Sequence, residues 1–337
     1  MPAGCHQLSD GAAYHRSVER DLGGRDDTGW LRYAALLMLV GILFVAGVSE
    51  GWWHRVHNTL AGGAPTSGGQ PLDAAYFAAG SCLEFAPTAG DRHITVFLDA
   101  GHGGIDPGAV GHTESGRQVE EAGITLPVEL DTMALLRAEG FTVVVSRTTA
   151  STVLKLGPGD TSGGVLSLVG AHAEVAARDI CANDAHARLL VGIYYDASSS
   201  PSTAGSVTTY DAVRPFSREN LRFADLLQSS VVSAMNSHGW GIPNDGVLDD
   251  VGMGSNNGNA ATSRLAALAL RYDHVMLLGP AMSGYFSTPS EMPGALIEPL
   301  YITDPFEGSI AADPTDQRVM ASGIATAVER YFAGTRS

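Results

Sequence analysis

The sequence predicts an α/β fold, with a single domain built on a twisted, mostly parallel central sheet of about six strands flanked by helices. Short runs rich in β-branched residues alternate with longer segments of helical spacing over residues 92–337, and this alternation is typical of parallel sheets. Hydrophobic residues make up 45% of the chain, which is enough for a sizeable core. No internal repeat is visible.

Each predicted element is a short apolar run or a longer amphipathic one. The predicted strands are His93–Asp99, Phe141–Ser146, Leu189–Tyr195, Ser206–Tyr210, His274–Leu278 and Ala295–Glu298. The predicted helices are Glu120–Glu139, Ala171–Arg188, Glu219–His238 and Asp316–Phe332. Two long segments rich in Gly, Asp and Asn, 155–170 and 241–264, are predicted to be loops.

An uncharged apolar run, Tyr33–Val48, precedes this domain. With the tryptophans at its two ends it reaches the ~20 residues that a membrane-spanning helix needs, so we predict a transmembrane anchor over 30–53. A buried core helix and a cleaved signal segment are the alternatives. The lack of a polar face argues against the first, and the long leader argues against the second.

Arginines predict the orientation of this anchor. Four precede the span and one follows it closely: Arg16, Arg20, Arg25, Arg32 and Arg55. The positive-inside rule then makes residues 1–29 a flexible cytoplasmic leader and places the rest outside the cell membrane. Residues 54–91, rich in Gly, Pro, Ala and Ser, are predicted to be a linker to the domain.

Charge and cysteine content exclude two classes of function. The formal net charge is −16, which argues against nucleic acid as a partner because phosphates require a basic surface. The three cysteines form no CxxC pair, so a cysteine-built zinc site is excluded. Outside the cytoplasm, Cys82 and Cys181 could form a disulfide bond; the alternative is two buried thiols.

A glycine-rich turn follows the first predicted strand, in the stretch Phe97–Ala109 (FLDAGHGGIDPGA). Glycines on both sides of His102 either provide a tight turn only, or let a ligand approach the backbone while the imidazole faces a cleft. The second interpretation fits the carboxyl end of a strand, where open α/β sheets place their sites.

Later motifs give this turn a context. Glu121 begins a helix, Arg147 ends a strand, and Met292–Glu298 (MPGALIE) is a strand that ends in a carboxylate. With the GHGG turn, this series resembles the zinc-dependent N-acetylmuramoyl-L-alanine amidases, the family that includes the bacterial cell-division amidases. The resemblance covers roughly residues 92–334.

The resemblance implies a zinc site and a catalytic carboxylate. It places the first two zinc ligands at His102 and Glu121, with Glu120 one residue away as an alternative register, and the catalytic glutamate at Glu298. Zinc lowers the pKa of a bound water to about 7 and polarises a carbonyl. A carboxylate nearby can take the proton of that water and deliver it to the leaving amine.

One position departs from the family pattern. The family's third ligand is a histidine in a Ser-Ile-His-Ala element, and Tyr194 stands there in this chain. A phenol with a pKa near 10 is a poor zinc ligand at pH 7. Tyr194 or Asp196 could complete the site, another histidine could replace it, or the site could be inactive. The other candidate histidines are His112, His172 and His186.

The sequence therefore predicts a membrane-anchored, outward-facing peptidoglycan hydrolase that cleaves the amide between muramic acid and L-alanine with a zinc cofactor. The alternatives are a catalytically silent module that binds the cell wall or regulates another hydrolase, and a hydrolase of a different amide. Arg147 and Arg178 would either bind a carboxylate of the substrate or form internal ion pairs.

Overall fold

The computed structural model describes residues 68–253 and 264–334. The predicted leader 1–29, the predicted anchor 30–53 and the first part of the predicted linker lie outside these residues. Within the described ranges, no helix combines the length and apolar character needed to cross a membrane.

An eight-stranded sheet forms the centre of the fold. Its strands are β1 (Gln70–Pro71), β2 (Ser81–Phe85), β3 (Thr95–Ala100), β6 (Thr142–Arg147), β9 (Leu190–Ile193), β10 (Ser206–Tyr210), β11 (Asn244–Asp249) and β12 (Gly294–Glu298). They lie side by side in the order β1-β2-β6-β3-β9-β12-β10-β11. The central strands β6, β3, β9 and β12 are parallel to one another. Antiparallel pairs occur toward the edges, between β1 and β2, β2 and β6, and β10 and β12.

Helices cover both faces of this sheet, as the sequence predicts. They are α1 (Glu121–Ala138), α2 (Leu168–Asp184), α3 (Ser217–Ser237), α4 (Arg264–Tyr272), α5 (Pro305–Ala311) and α6 (Pro314–Ala333). Short hairpins are formed by β4 (Val110–His112) with β5 (Gln118–Glu120), and by β7 (Thr161–Ser162) with β8 (Val165–Leu166).

Two hydrophobic cores lie on opposite faces of the sheet. In β3, Val96 and Leu98 belong to the core that α1, α3 and α6 cover, whereas Phe97 belongs to the core beneath α2. Side chains alternate between the faces of a strand, and a strand buried on both faces reads as a continuous apolar run. This is why the central strands are recognisable in the sequence.

Three details of the predicted fold are wrong. The structured part begins before residue 92, because β2 pairs with β6 and its buried Phe85 joins the core. Residues 274–278 form a turn instead of a strand. Both predicted loops contain strands: β7 and β8 lie within 155–170, and β11 within 241–264, where its largely exposed residues pair with β10.

A disulfide bond joins β2 to α2 through Cys82 and Cys181, whose Cα atoms lie 5.7 Å apart. Both cysteines are fully buried in the core beneath α2. The predicted pairing is confirmed, and the bond fixes the segment before residue 92 to the domain.

Candidate active site

The turn after β3 positions an imidazole at the carboxyl edge of the parallel strands. His102 adopts a left-handed backbone with φ +61°, which is uncommon for a residue other than glycine. Arg178 stabilises this turn, because its guanidinium donates hydrogen bonds to the carbonyl oxygens of Ala100 and His102, at 2.8 and 2.9 Å. The buried guanidinium of Arg178 therefore holds the backbone of this turn in place.

Glu121 faces this imidazole from the first turn of α1. Its Oε2 lies 3.1 Å from His102 Nε2 and accepts a hydrogen bond from Ala109 N, while its Oε1 accepts one from Tyr195 N. The side chain is 4% exposed, so these three contacts hold the carboxylate in one position. Glu120, in the alternative register, is exposed and bonds Gln118.

Asp106 orients the imidazole from its other side, with Oδ2 2.8 Å from His102 Nδ1. Burial alone would lower the pKa of His102, but hydrogen bonds to Asp106 and Glu121 outweigh it and raise this pKa to about 9. A carboxylate on Nδ1 is the usual partner of a metal-binding histidine. Sequence reasoning missed Asp106, although its spacing of four residues from His102 was a usable signal.

The lack of a side chain at Gly108 leaves room for the side chains of His102 and Glu121. A Cβ added there would lie 2.6 Å from His102 Cδ2 and 2.7 Å from Glu121 Oε2, on a backbone with φ +67°. The glycine after the turn is therefore required by the close approach of two functional side chains.

Replacement of Gly108 by alanine is expected to separate His102 from Glu121, so that the pKa of His102 falls below about 9. An NMR titration of the imidazole measures this change. Gly116→Ala is the matched control, because its φ is +80° and nothing lies within 4 Å of the added Cβ. Equal His102 titrations in the two variants would contradict the steric explanation.

Glu298 ends β12, two strands from β3 in the sheet. Burial, together with repulsion from Asp196 and Glu121, raises the pKa of its carboxyl group to about 8, although His102 acts in the opposite direction. Glu121 and His102 both affect the pKa of Glu298, so the three groups interact electrostatically. The parallel register of β3, β9 and β12 places the end of β12 at the same edge of the sheet as the turn that carries His102.

Tyr194 does not join this group through its hydroxyl. The phenol donates a hydrogen bond to Asp99 Oδ2 at 3.0 Å, and Arg178 pairs with Asp99 Oδ1 at 2.5 Å. Burial and the negative charge of Asp99 raise the pKa of Tyr194 well above its usual value. In this arrangement the hydroxyl is a hydrogen-bond donor to Asp99.

The other candidates for the third ligand also lie apart from the pair. His112 and His186 are exposed, and His172 packs against Tyr285 with ring centroids 4.7 Å apart. Asp196 accepts a hydrogen bond from the Tyr301 hydroxyl. Among the described residues, the one group of three ligand-type side chains with all ligand atoms within 4.8 Å of one another is Asp211, Asp250 and His274.

Both arginines predicted as substrate contacts are internal. Arg147 is fully buried and donates to the carbonyl oxygens of Gly101 and Ala122, at 3.2 and 2.8 Å. Arg178 is 1% exposed and pairs with Asp99 and Glu174. Arg178 therefore forms the internal ion pairs of the alternative, whereas the hydrogen bonds of Arg147 go to backbone carbonyl groups.

The fold is that of an α/β protein, with an imidazole, a buried carboxylate and a strand-end glutamate at the carboxyl edge of its parallel strands, where such folds place their sites. The family model of N-acetylmuramoyl-L-alanine amidases matches residues 96–330, and the chain belongs to this family. The resemblance identified in the sequence is thereby confirmed, and membership supports peptidoglycan amidase activity.

Solved structures with a similar fold include the CwlD amidase from Clostridioides difficile, determined in complex with the GerS lipoprotein. It is 20% identical, with a TM-score of 0.52, over 72% of this chain and 99% of that one. An N-acetylmuramoyl-L-alanine amidase from Clostridium difficile 630 is 24% identical, with a TM-score of 0.48, over 72% of this chain and 98% of that one. No curated protein sequence matches the chain.

Proposed function

We propose that this protein hydrolyses the amide between the lactyl group of N-acetylmuramic acid and the L-alanine of the stem peptide. The observation that carries the proposal is the 3.1 Å approach of His102 Nε2 and Glu121 Oε2, with Glu298 at the same sheet edge. The resemblance to the family supports a role for these residues in the reaction.

Glu298 is the group that moves the proton. A general acid–base group works best when its pKa is close to the operating pH, and burial raises the pKa of Glu298 to about 8. Its carboxylate would take a proton from the attacking water and deliver it to the leaving amine. Asp106 and Glu121 would keep the imidazole of His102 in a fixed orientation during this transfer.

The residues present fit a zinc ion only in part. His102 Nε2 and Glu121 Oε2 are suitable ligand atoms for two of its four coordination positions. Asp106 orients the imidazole, as a carboxylate commonly does for a metal-binding histidine. Zinc, when bound, would lower the pKa of a water and polarise the scissile carbonyl. The third donor does not fit, because the Tyr194 hydroxyl is engaged by Asp99.

The full-length chain incubated with purified peptidoglycan tests the proposal. We expect release of stem peptides with a free L-alanine amino group, detected by mass spectrometry, when zinc is supplied in equimolar amount. Glu121→Gln should abolish this release, and Glu120→Gln is the matched control that should retain it. A chain that releases no peptide with zinc present would refute the proposal.

A second candidate function is a catalytically silent module that binds the cell wall. The commitment of the Tyr194 hydroxyl to Asp99 favours it, because a zinc site with two protein donors is weak. Cosedimentation with peptidoglycan, without release of peptides and without bound zinc, is the result that would establish this alternative.

Tyr194→His is expected to raise the affinity for zinc by at least about tenfold, because it restores an imidazole at the position of the family's third ligand. Tyr194→Phe is the control: it should leave zinc affinity unchanged and lower the free energy of unfolding by about 1–3 kcal/mol, since Asp99 Oδ2 loses a donor. Calorimetric titration with zinc measures the first effect. Weaker zinc binding by Tyr194→Phe would show that the phenol is a ligand.

We also propose that the domain acts outside the cell membrane, anchored by residues 30–53. The Cys82–Cys181 disulfide supports this location, because such bonds persist in oxidising compartments. Peptidoglycan, the proposed substrate, lies there as well.

A further inference from the structure

Two aspartates leave the central sheet side by side at the ends of neighbouring strands. Asp211 follows β10 and Asp250 follows β11; these strands are parallel, with Tyr210 opposite Asp249. A backbone hydrogen bond from Asp250 N to Tyr210 O, at 2.9 Å, fixes their spacing. Both carboxylates therefore start from the same edge of the sheet.

His274 meets both carboxylates from the segment after α4. Its Nδ1 lies 3.1 Å from Asp211 Oδ2 and 3.0 Å from Asp250 Oδ1. The two aspartates are fully buried, and the imidazole is 15% exposed. The ends of β10 and β11 and the segment after α4 thus bring one imidazole nitrogen and two carboxylate oxygens close together.

Hydrogen bonds account for all but one oxygen of this group. Asp211 Oδ1 accepts from Val213 N and Arg214 N, and Asp250 Oδ2 accepts from Val275 N. The two remaining oxygens face one imidazole nitrogen, which carries at most one proton. That nitrogen forms its hydrogen bond with Asp250, and Asp211 Oδ2 is left buried without a donor. Leaving such a group unsatisfied is costly.

The nearest arginine does not supply the missing partner. The guanidinium of Arg214 donates instead to the carbonyl oxygens of Leu278, Gly279 and Ser290. Asp179, a further acid within electrostatic range of Arg214, is also fully buried, and neither of its carboxyl oxygens has a hydrogen-bond partner. Around Arg214, the buried carboxyl groups of Asp179, Asp211 and Asp250 thus outnumber the basic side chains Arg214 and His274.

We propose that Asp211, Asp250 and His274 bind one divalent transition-metal ion, Zn²⁺ or Mn²⁺. His274 Nδ1 lies 3.1 and 3.0 Å from the two carboxylate oxygens, and all three ligand atoms lie within 4.8 Å of one another, a spacing that one ion about 2.1 Å from its ligands can use after small side-chain shifts. A nitrogen donor with two carboxylates suits these ions better than Ca²⁺ or Mg²⁺, which prefer oxygen ligands. The ion would satisfy Asp211 Oδ2.

This site is separate from the one that contains Glu298. Because β10 is antiparallel to β12 and Val207 pairs with Glu298, Asp211 lies four residues further along β10, roughly 13 Å toward the opposite edge of the sheet. The ion has a structural role: it joins the ends of β10 and β11 to the segment after α4. His274 and Tyr194 both line a cavity of about 300 Å³, so the ion supports its wall.

Zinc titration of the full-length chain tests this site, in a His102→Ala, Glu121→Gln background that removes the other candidate site. We expect about one Zn²⁺ bound per chain. Asp250→Asn and His274→Gln, each added to that background, should weaken binding by at least about tenfold, since even second-shell changes cost that much. Asp249→Asn, an exposed neighbouring carboxylate, is the matched control and should bind normally.

Hydrogen exchange provides a readout that needs no change to the three ligands. Zinc added to the same background should slow exchange at the amides of Val275 and Arg214, which donate to the ligand carboxylates. Absence of binding, binding that Asp250→Asn and His274→Gln leave intact, or unchanged exchange at these amides would each overturn the proposal. These readouts do not depend on amidase activity, so their failure is distinguishable from failure of the proposed function.

Discussion

Replacement of Glu298 by glutamine is expected to lower kcat/KM for stem-peptide release by about 10²–10⁴-fold, the usual contribution of a general acid–base group. The amide keeps the size of the side chain at the end of β12, so the fold should persist. The variant should therefore retain the unfolding transition of the native chain while losing catalysis.

The pH dependence of the native chain gives a second readout of Glu298. Burial and repulsion from Asp196 and Glu121 raise the pKa of its carboxyl group to about 8. A general base acts only when ionised, so kcat/KM should rise with pH as the carboxyl group of Glu298 ionises and level off above about pH 8. A cation between His102 and Glu121 would move this midpoint lower, because positive charge favours the carboxylate.

Both predictions are tested by measuring kcat/KM between about pH 5 and 10 for the native chain and for Glu298→Gln. Glu120→Gln is the control. The control should behave like the native chain, because Glu120 is exposed and bonds only Gln118. A Glu298→Gln variant with more than about a tenth of native activity, or with the same rising limb, would assign proton transfer to another group.

Removal of the disulfide in a Cys82→Ala, Cys181→Ala variant is expected to lower the free energy of unfolding by about 4–5 kcal/mol. The bond closes a sequence separation of 99 residues, and the chain-entropy model gives about 4.7 kcal/mol for a loop of this length. The bond supports β2, which lies near the edge of the sheet between the two-residue β1 and β6.

Urea denaturation of the oxidised native chain and the variant measures this difference. Cys5→Ser is the control that removes a cysteine outside the bond, and it should leave stability unchanged. A loss below about 1 kcal/mol, or three free thiols in the native chain instead of one, would show that the bond does not stabilise the fold.

Local hydrophobic pattern determined the class of fold and most of its elements. The predicted strand at 206–210 is β10, and the predicted helix at 219–238 differs from α3 by two residues or fewer at each end. Such elements bury a regular set of side chains, so their period is written in the sequence. By contrast, β11 buries little and exists through its pairing with β10, which no local pattern reports.

The candidate active site also has features that local motifs predict and features that depend on long-range contacts. The GHGG turn and the strand ending in Glu298 are local motifs, and together with the family resemblance they predict His102, Glu121 and Glu298 as site residues. The pairing of Glu121, instead of Glu120, with the imidazole depends on where α1 begins against the turn. The use of the Tyr194 hydroxyl depends on Asp99, which is distant in the sequence.

Sequence alone thus determined the order of most strands and helices and the family, and it predicted the three side chains proposed for the principal site. Tertiary structure alone decided which donor each buried polar group receives, and it brought Asp211, Asp250 and His274 to one point. The physical reason is that periodicity and turn motifs act over a few neighbouring residues. Hydrogen bonds and charge pairs in a core join segments whose separation along the chain carries no signal.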